Sequence, residues 1–118
     1  MAKFLFVLSR GLEDPTRAVR CFQFAKLAVE DGNETVVFLV DDAAVFARLG
    51  ATDQVKAPTG DELKPYLDFL VEKQTPIMVC TPCANARFLD PAEFVAGARL
   101  ETGKTLINLA KDHQVFSF

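Results

Sequence analysis

Residues 3–8, Lys3-Phe4-Leu5-Phe6-Val7-Leu8, form a short apolar run that stops at Ser9-Arg10-Gly11. A continuous run of this length suits a strand buried on both faces, as in a parallel sheet. Residues 9–13 then read as a loop, and Asp14-Pro15 as the N-cap and first position of a helix. Ala18, Cys21, Phe22, Ala25, Ala28 and Val29 recur at helical spacing until Asp31-Gly32 ends the helix. Residues 36–40 repeat the buried-strand pattern, followed by Asp41-Asp42 and a short helix over 43–49 closed by Gly50.

The alternation continues. Residues 51–60 carry no period and are expected to form a mobile loop. Thr59 and Glu62 have capping-box spacing, and Leu63, Tyr66, Leu67 and Leu70 form a helical stripe. Pro65 places the start of that helix near Asp61. A third strand covers 76–79, and Thr81-Pro82 opens another helix. Residues 97–100 predict a short strand. Residues 102–112 predict a helix with Leu106, Leu109 and Ala110 inward, and 114–118 a last strand. Strands alternating with helices give the α/β class, with a mostly parallel sheet and right-handed crossovers.

The 118 residues fit a single domain, 1–118, large enough to bury its own core. Eleven Phe and no Trp leave two uses for the aromatic surface, the core or a neighbouring subunit. Net charge is -3 and no basic run exists, which argues against nucleic acid and anionic membrane as partners. The apolar run Phe4–Leu8 is shorter than the ~7–15 residues of a signal-peptide core, and nothing approaches the ~20 of a membrane span. Three cysteines are too few for a disulfide scaffold, so the expected location is the cytoplasm.

The chemistry concentrates at Val79-Cys80-Thr81-Pro82-Cys83-Ala84-Asn85-Ala86-Arg87. Cys80 falls at the carboxyl end of the third strand, where open α/β sheets build their sites. A following helix would present its positive end and free N–H groups to the thiol and favour thiolate, the nucleophilic form. Arg87, four residues after Cys83, shares its helical face and adds positive potential. The opposing reading is a small apolar residue at a strand end. Cys80 and Cys83 also form a C-x-x-C dithiol, but after two earlier strand–helix units rather than one. A zinc site would need Cys80, Cys83, Cys21 and His113 together, yet Cys21 lies on a core stripe and His113 suits a cap for the helix before it. Asp41 and Asp42 share the rim with Cys80, either orienting a partner, holding a cation, or forming a solvated turn. No cofactor fingerprint is present: Ser9-Arg10-Gly11 has a single glycine, and no nucleophile elbow occurs.

Three stretches resemble the DsrE/DsrF-like (TusD-like) sulfur-relay family. They are Cys21-Phe22-Gln23-Phe24-Ala25-Lys26 with its closing Asp31-Gly32, Phe38-Leu39-Val40-Asp41-Asp42-Ala43, and the loop from Val79-Cys80 to Arg87. The hydrophobic end Val115-Phe116-Ser117-Phe118 fits as well, so the resemblance spans the chain, with the cysteine loop its chemically specific part. It implies a three-layer α/β/α domain with a mostly parallel five-stranded sheet that assembles as trimers or hexamers, as a homo-oligomer or with related subunits. It further implies that Cys80 carries a persulfide between sulfur donor and acceptor proteins, a sulfurtransferase-like task requiring no cofactor or metal. Cys83 corresponds to a second cysteine of some branches, a passenger or resolving thiol. One departure is Phe88, where members commonly place Gly directly after the arginine. Two other functions stay open: a dithiol redox switch of Cys80 and Cys83, and a non-catalytic assembly or ligand-binding subunit.

Overall fold

A computed structural model describes residues 1–118. Five strands, β1 (Lys3–Leu8), β2 (Glu34–Leu39), β3 (Ile77–Cys80), β4 (Ala98–Glu101) and β5 (Gln114–Ser117), form one sheet in the order β4-β3-β2-β1-β5. Every pairing is parallel, with Leu5 opposite Val36 and Val115, and Cys80 opposite Glu101.

The helices are α1 (Pro15–Glu30), α2 (Leu63–Glu72), α3 (Thr81–Ala86) and α4 (Gly103–Ala110). Asp14 caps α1 by accepting the Arg17 N–H at 3.1 Å, and Gly32 leaves the helix in the left-handed region at φ +80°. Strands β1 to β4 step one way across the sheet, so α1 and α2 lie on one face. The chain then returns past β1 to place β5, and a right-handed return puts α4 on the opposite face.

Alternation along each strand divides the core. Phe6, Leu8, Val37, Leu39, Ile77 and Val79 pack beneath α1 and α2 with Phe22, Leu63 and Leu70. Leu5, Val36, Phe38 and Met78 face the other way, covered by Leu106 and Leu109 of α4. The runs of β1, β2 and β3 are therefore apolar on both faces, the pattern first read at Lys3–Leu8, whereas β4 carries Arg99 and Glu101 and β5 is exposed.

Several local expectations are corrected. The helix placed at 43–49 is a 3-10 segment, Asp41–Ala47, with Ala43, Ala44, Phe46 and Ala47 buried. Asp41 enters it at φ +50°, so the chain turns sharply before a full α-turn forms. Thr59 and Glu62 form no capping box. Instead α2 starts at Leu63, with Pro65 inside the first turn, where its missing N–H costs nothing. Ala110 is exposed rather than inward.

Residues 51–60, expected to be mobile, fold against the body. Thr52, Val55 and Ala57 are buried, and Leu63 N–H donates to the Val55 carbonyl at 3.0 Å. Arg20 of α1 ties the segment down, reaching Asp61 at 3.0 Å and Thr59 at 3.2 Å. The Arg20 bond, with the Thr59 and Tyr66 hydroxyls also donating to the carboxylate, holds the Asp61 pKa below the ordinary aspartate value.

The phenylalanines divide between core and surface. Phe22, Phe38 and Phe46 are fully buried, whereas Phe24, Phe88 and Phe116 are exposed. No helix is long and apolar enough to cross a membrane.

Candidate functional site

Four strand ends, those of β1 to β4, meet at the carboxyl edge of the sheet. Cys80 is the last residue of β3 and the N-cap of α3. The Thr81 hydroxyl donates to the Glu101 carbonyl at 2.9 Å, fixing the turn to the end of β4. The tight turn from strand into helix brings Cys83 back over Cys80. The two are paired as a disulfide, with a Cα–Cα distance of 5.2 Å. Both are half-buried.

The segment after β2 supplies the next contact. The Asp41 backbone N–H donates to the Cys83 sulfur at 3.1 Å, and its own carboxylate lies 3.9 Å from that sulfur. The left-handed backbone of Asp41 aims the amide this way, a conformation that Asp tolerates better than most residues. A main-chain donor favours negative charge on sulfur, while the adjacent carboxylate opposes it.

Arg87 closes the circuit. One guanidinium nitrogen donates to the Cys83 carbonyl at 3.0 Å, and the other bonds Asp42 at 2.6 Å. The loop after β1 abuts from the far side: a Cβ on Gly11 would lie 2.6 Å from the Asp42 carbonyl oxygen. Only glycine lets this backbone come so close.

The residues singled out from sequence thus separate into two groups. Cys80, Cys83, Arg87, Asp41 and Asp42 converge. Arg87 shares a face with Cys83 as expected, but its charge is engaged with Asp42. Cys21 is fully buried in the main core, where burial pushes its thiol pKa far up and leaves it inert. His113 caps α4 by donating to the Leu109 carbonyl at 2.7 Å. The four residues considered for zinc do not come together, and no group of three or more metal-ligating side chains forms.

Two features escaped the sequence reading. One is the Asp41 amide, a backbone group that no side-chain pattern reveals. The other is Gly11, for which a glycine in a loop at a strand's carboxyl end was the available signal. The helix dipole expected to polarise Cys80 is small, because α3 has only six residues. Phe88 adopts φ +56°, the left-handed conformation in which glycine carries no Cβ penalty.

The sequence profile of the DsrE/DsrF-like family matches residues 2–118. The chain belongs to the DsrE/DsrF-like family. Membership supports a sulfur-relay-type role. The uncharacterized protein MK0008 of Methanopyrus kandleri is 29% identical over 109 residues, covering 90% of this chain and 84% of its own. The uncharacterized protein MJ0989 of Methanocaldococcus jannaschii is 28% identical over 113 residues, covering 93% of each. Among solved structures, YchN of E. coli superposes with a TM-score of 0.84 at 19% identity over 100% of both chains. MTH1491 of Methanobacterium thermoautotrophicum, a protein of unknown function, gives 0.73 at 10% identity, again over both whole chains. At those identities the two structures support the α/β fold of this DsrE/DsrF-like chain and nothing finer.

A cavity of about 340 Å³ lies at the other end of the sheet, lined by Phe4, Phe6, Phe24, Leu27 and Phe116 among others. It opens where α1 leaves the inner face of β5 uncovered, so that Phe116 is 44% and Leu27 53% exposed.

Proposed function

We propose that this protein is a cytoplasmic persulfide carrier in which Cys80 accepts sulfane sulfur from a donor protein and passes it to an acceptor. The observation that carries the reading is the position of Cys80: a half-buried sulfur at a strand's carboxyl end, beside a second cysteine held by the Asp41 amide. Carrying sulfur this way needs a reachable thiolate and a docking surface, with no cofactor. Phe88 supports docking. It sits next to Arg87, is 94% exposed, and occupies a left-handed position that opposes its side chain, a local conflict of the kind found at binding sites. The uncovered apolar face around Phe24, Leu27 and Phe116 supports assembly with identical or related subunits.

The test is intact-mass analysis of reduced Cys83→Ser protein after incubation with a persulfide donor. It should gain about 32 Da, one sulfur atom, and Cys80→Ser should gain nothing. If neither gains mass, the carrier role fails and a non-catalytic assembly subunit becomes the better reading. The paired sulfurs also favour a second reading, a dithiol redox switch. In that case an oxidant closes the wild-type pair, and no variant takes up sulfur.

A further inference from the structure

We propose that Cys83 discharges the persulfide on Cys80 as sulfide, so that the protein has an internal release route beside transfer to a partner. This rests on the carrier reading of Cys80 and adds a fate for the sulfur. In the structure the Cys83 sulfur is bonded to Cys80 Sγ, the inner sulfur of a persulfide built on that residue. The attacking atom therefore already has a path to the inner sulfur.

The surrounding bonds prepare Cys83 for attack. The Asp41 N–H reaches the Cys83 sulfur at 3.1 Å, a donor ready for the thiolate once the pair is reduced, and the Asp41 carboxylate, 3.9 Å from the sulfur, is placed to accept the thiol proton. Arg87 holds the Cys83 carbonyl, Asp42 holds Arg87, and Gly11 abuts Asp42, so the donor and the nucleophile keep their separation.

The step balances without an outside oxidant. The Cys83 thiolate attacks Cys80 Sγ and forms the Cys80–Cys83 bond. The bond from Cys80 Sγ to the outer sulfur breaks, and hydrosulfide leaves with that electron pair. Two thiols are oxidised to a disulfide, and the sulfane sulfur is reduced to sulfide. A dithiol reductant, taken from the cell, resets the pair. Attack on the outer sulfur would only move the persulfide to Cys83, so the geometry at the inner sulfur decides the product.

The experiment mixes reduced, desalted protein with one equivalent of a low-molecular-weight persulfide and follows both sulfide and intact mass. Protein with both Cys80→Ser and Cys83→Ser sets the background. Wild type should release sulfide and end with the Cys80–Cys83 disulfide. Cys83→Ser should keep the added sulfur and release sulfide at least about tenfold more slowly. If wild type keeps the sulfur as stably as Cys83→Ser, or both release sulfide equally, the discharge route is overturned while the carrier stands. If neither takes up sulfur, both proposals fail.

Discussion

Phe46→Ala should lower the unfolding free energy by about 3–5 kcal/mol, a large share of the ~5–15 typical of a whole domain. Phe46 is fully buried, and its ring meets Phe22 of α1 edge-on with centroids 6.4 Å apart. Truncation removes that contact and leaves a cavity under the 3-10 segment Asp41–Ala47, whose buried alanines are too small to fill it. Urea denaturation of wild type and variant measures the difference. The contrast is Phe88→Ser, which removes an almost fully exposed ring and should change stability by less than about 0.5 kcal/mol. A Phe46→Ala loss under about 1 kcal/mol would mean that the segment collapses onto the void and is not anchored as described.

The second large effect concerns the Asp41 amide. In a Cys80→Ser background, Cys83 is the only thiol left at the site, and its alkylation rate reports on its thiolate. Asp41→Asn removes the nearby carboxylate while keeping a residue that tolerates the left-handed backbone. Asp41→Val also removes the charge, but a β-branched residue resists φ +50° and swings the N–H away from sulfur. A hydrogen bond to a charged group is worth about 1.5–3 kcal/mol, so the Val protein should alkylate roughly tenfold or more slowly than the Asn protein. Equal rates would show that the amide does not support the thiolate.

Much of this architecture was legible because it is local. The apolar run Lys3–Leu8, the cap Asp14-Pro15 and the stop Asp31-Gly32 each carry their own cause, and the strand and helix fall where those residues put them. Residues 51–60 were opaque because what orders them is Arg20, bonded to a carboxylate 41 residues away in sequence. The 3-10 form of Asp41–Ala47 also arises at a distance, from burial of its alanines against α3, β3 and β2 and from the backbone turn at Asp41. Strand order depended on which side of β1 the last strand returned to, and no local pattern encodes that.

The site divides in the same way. The spacing of Cys80, Cys83 and Arg87 was readable because a strand end followed by a helical turn brings those positions together. What sets their chemistry was not readable. It lies in the Asp41 amide, in the Asp42 carboxylate that occupies Arg87, and in the close approach of Gly11, three contributions from the ends of two other strands. Phe88 shows the reverse case. The departure from glycine was plain in the sequence, and the structure gives its physical meaning as a left-handed position that Phe88 occupies under strain.

The most direct measurement is rapid-quench peptide mass spectrometry of reduced wild-type protein, alkylated at successive times after addition of one equivalent of a persulfide. The extra sulfur should appear first on the peptide carrying Cys80, with Cys21 untouched, and the Cys80–Cys83 disulfide should grow in as that species decays. Extra sulfur first on Cys83, or a disulfide that forms with no persulfide before it, would contradict Cys80 as the sulfur-bearing residue.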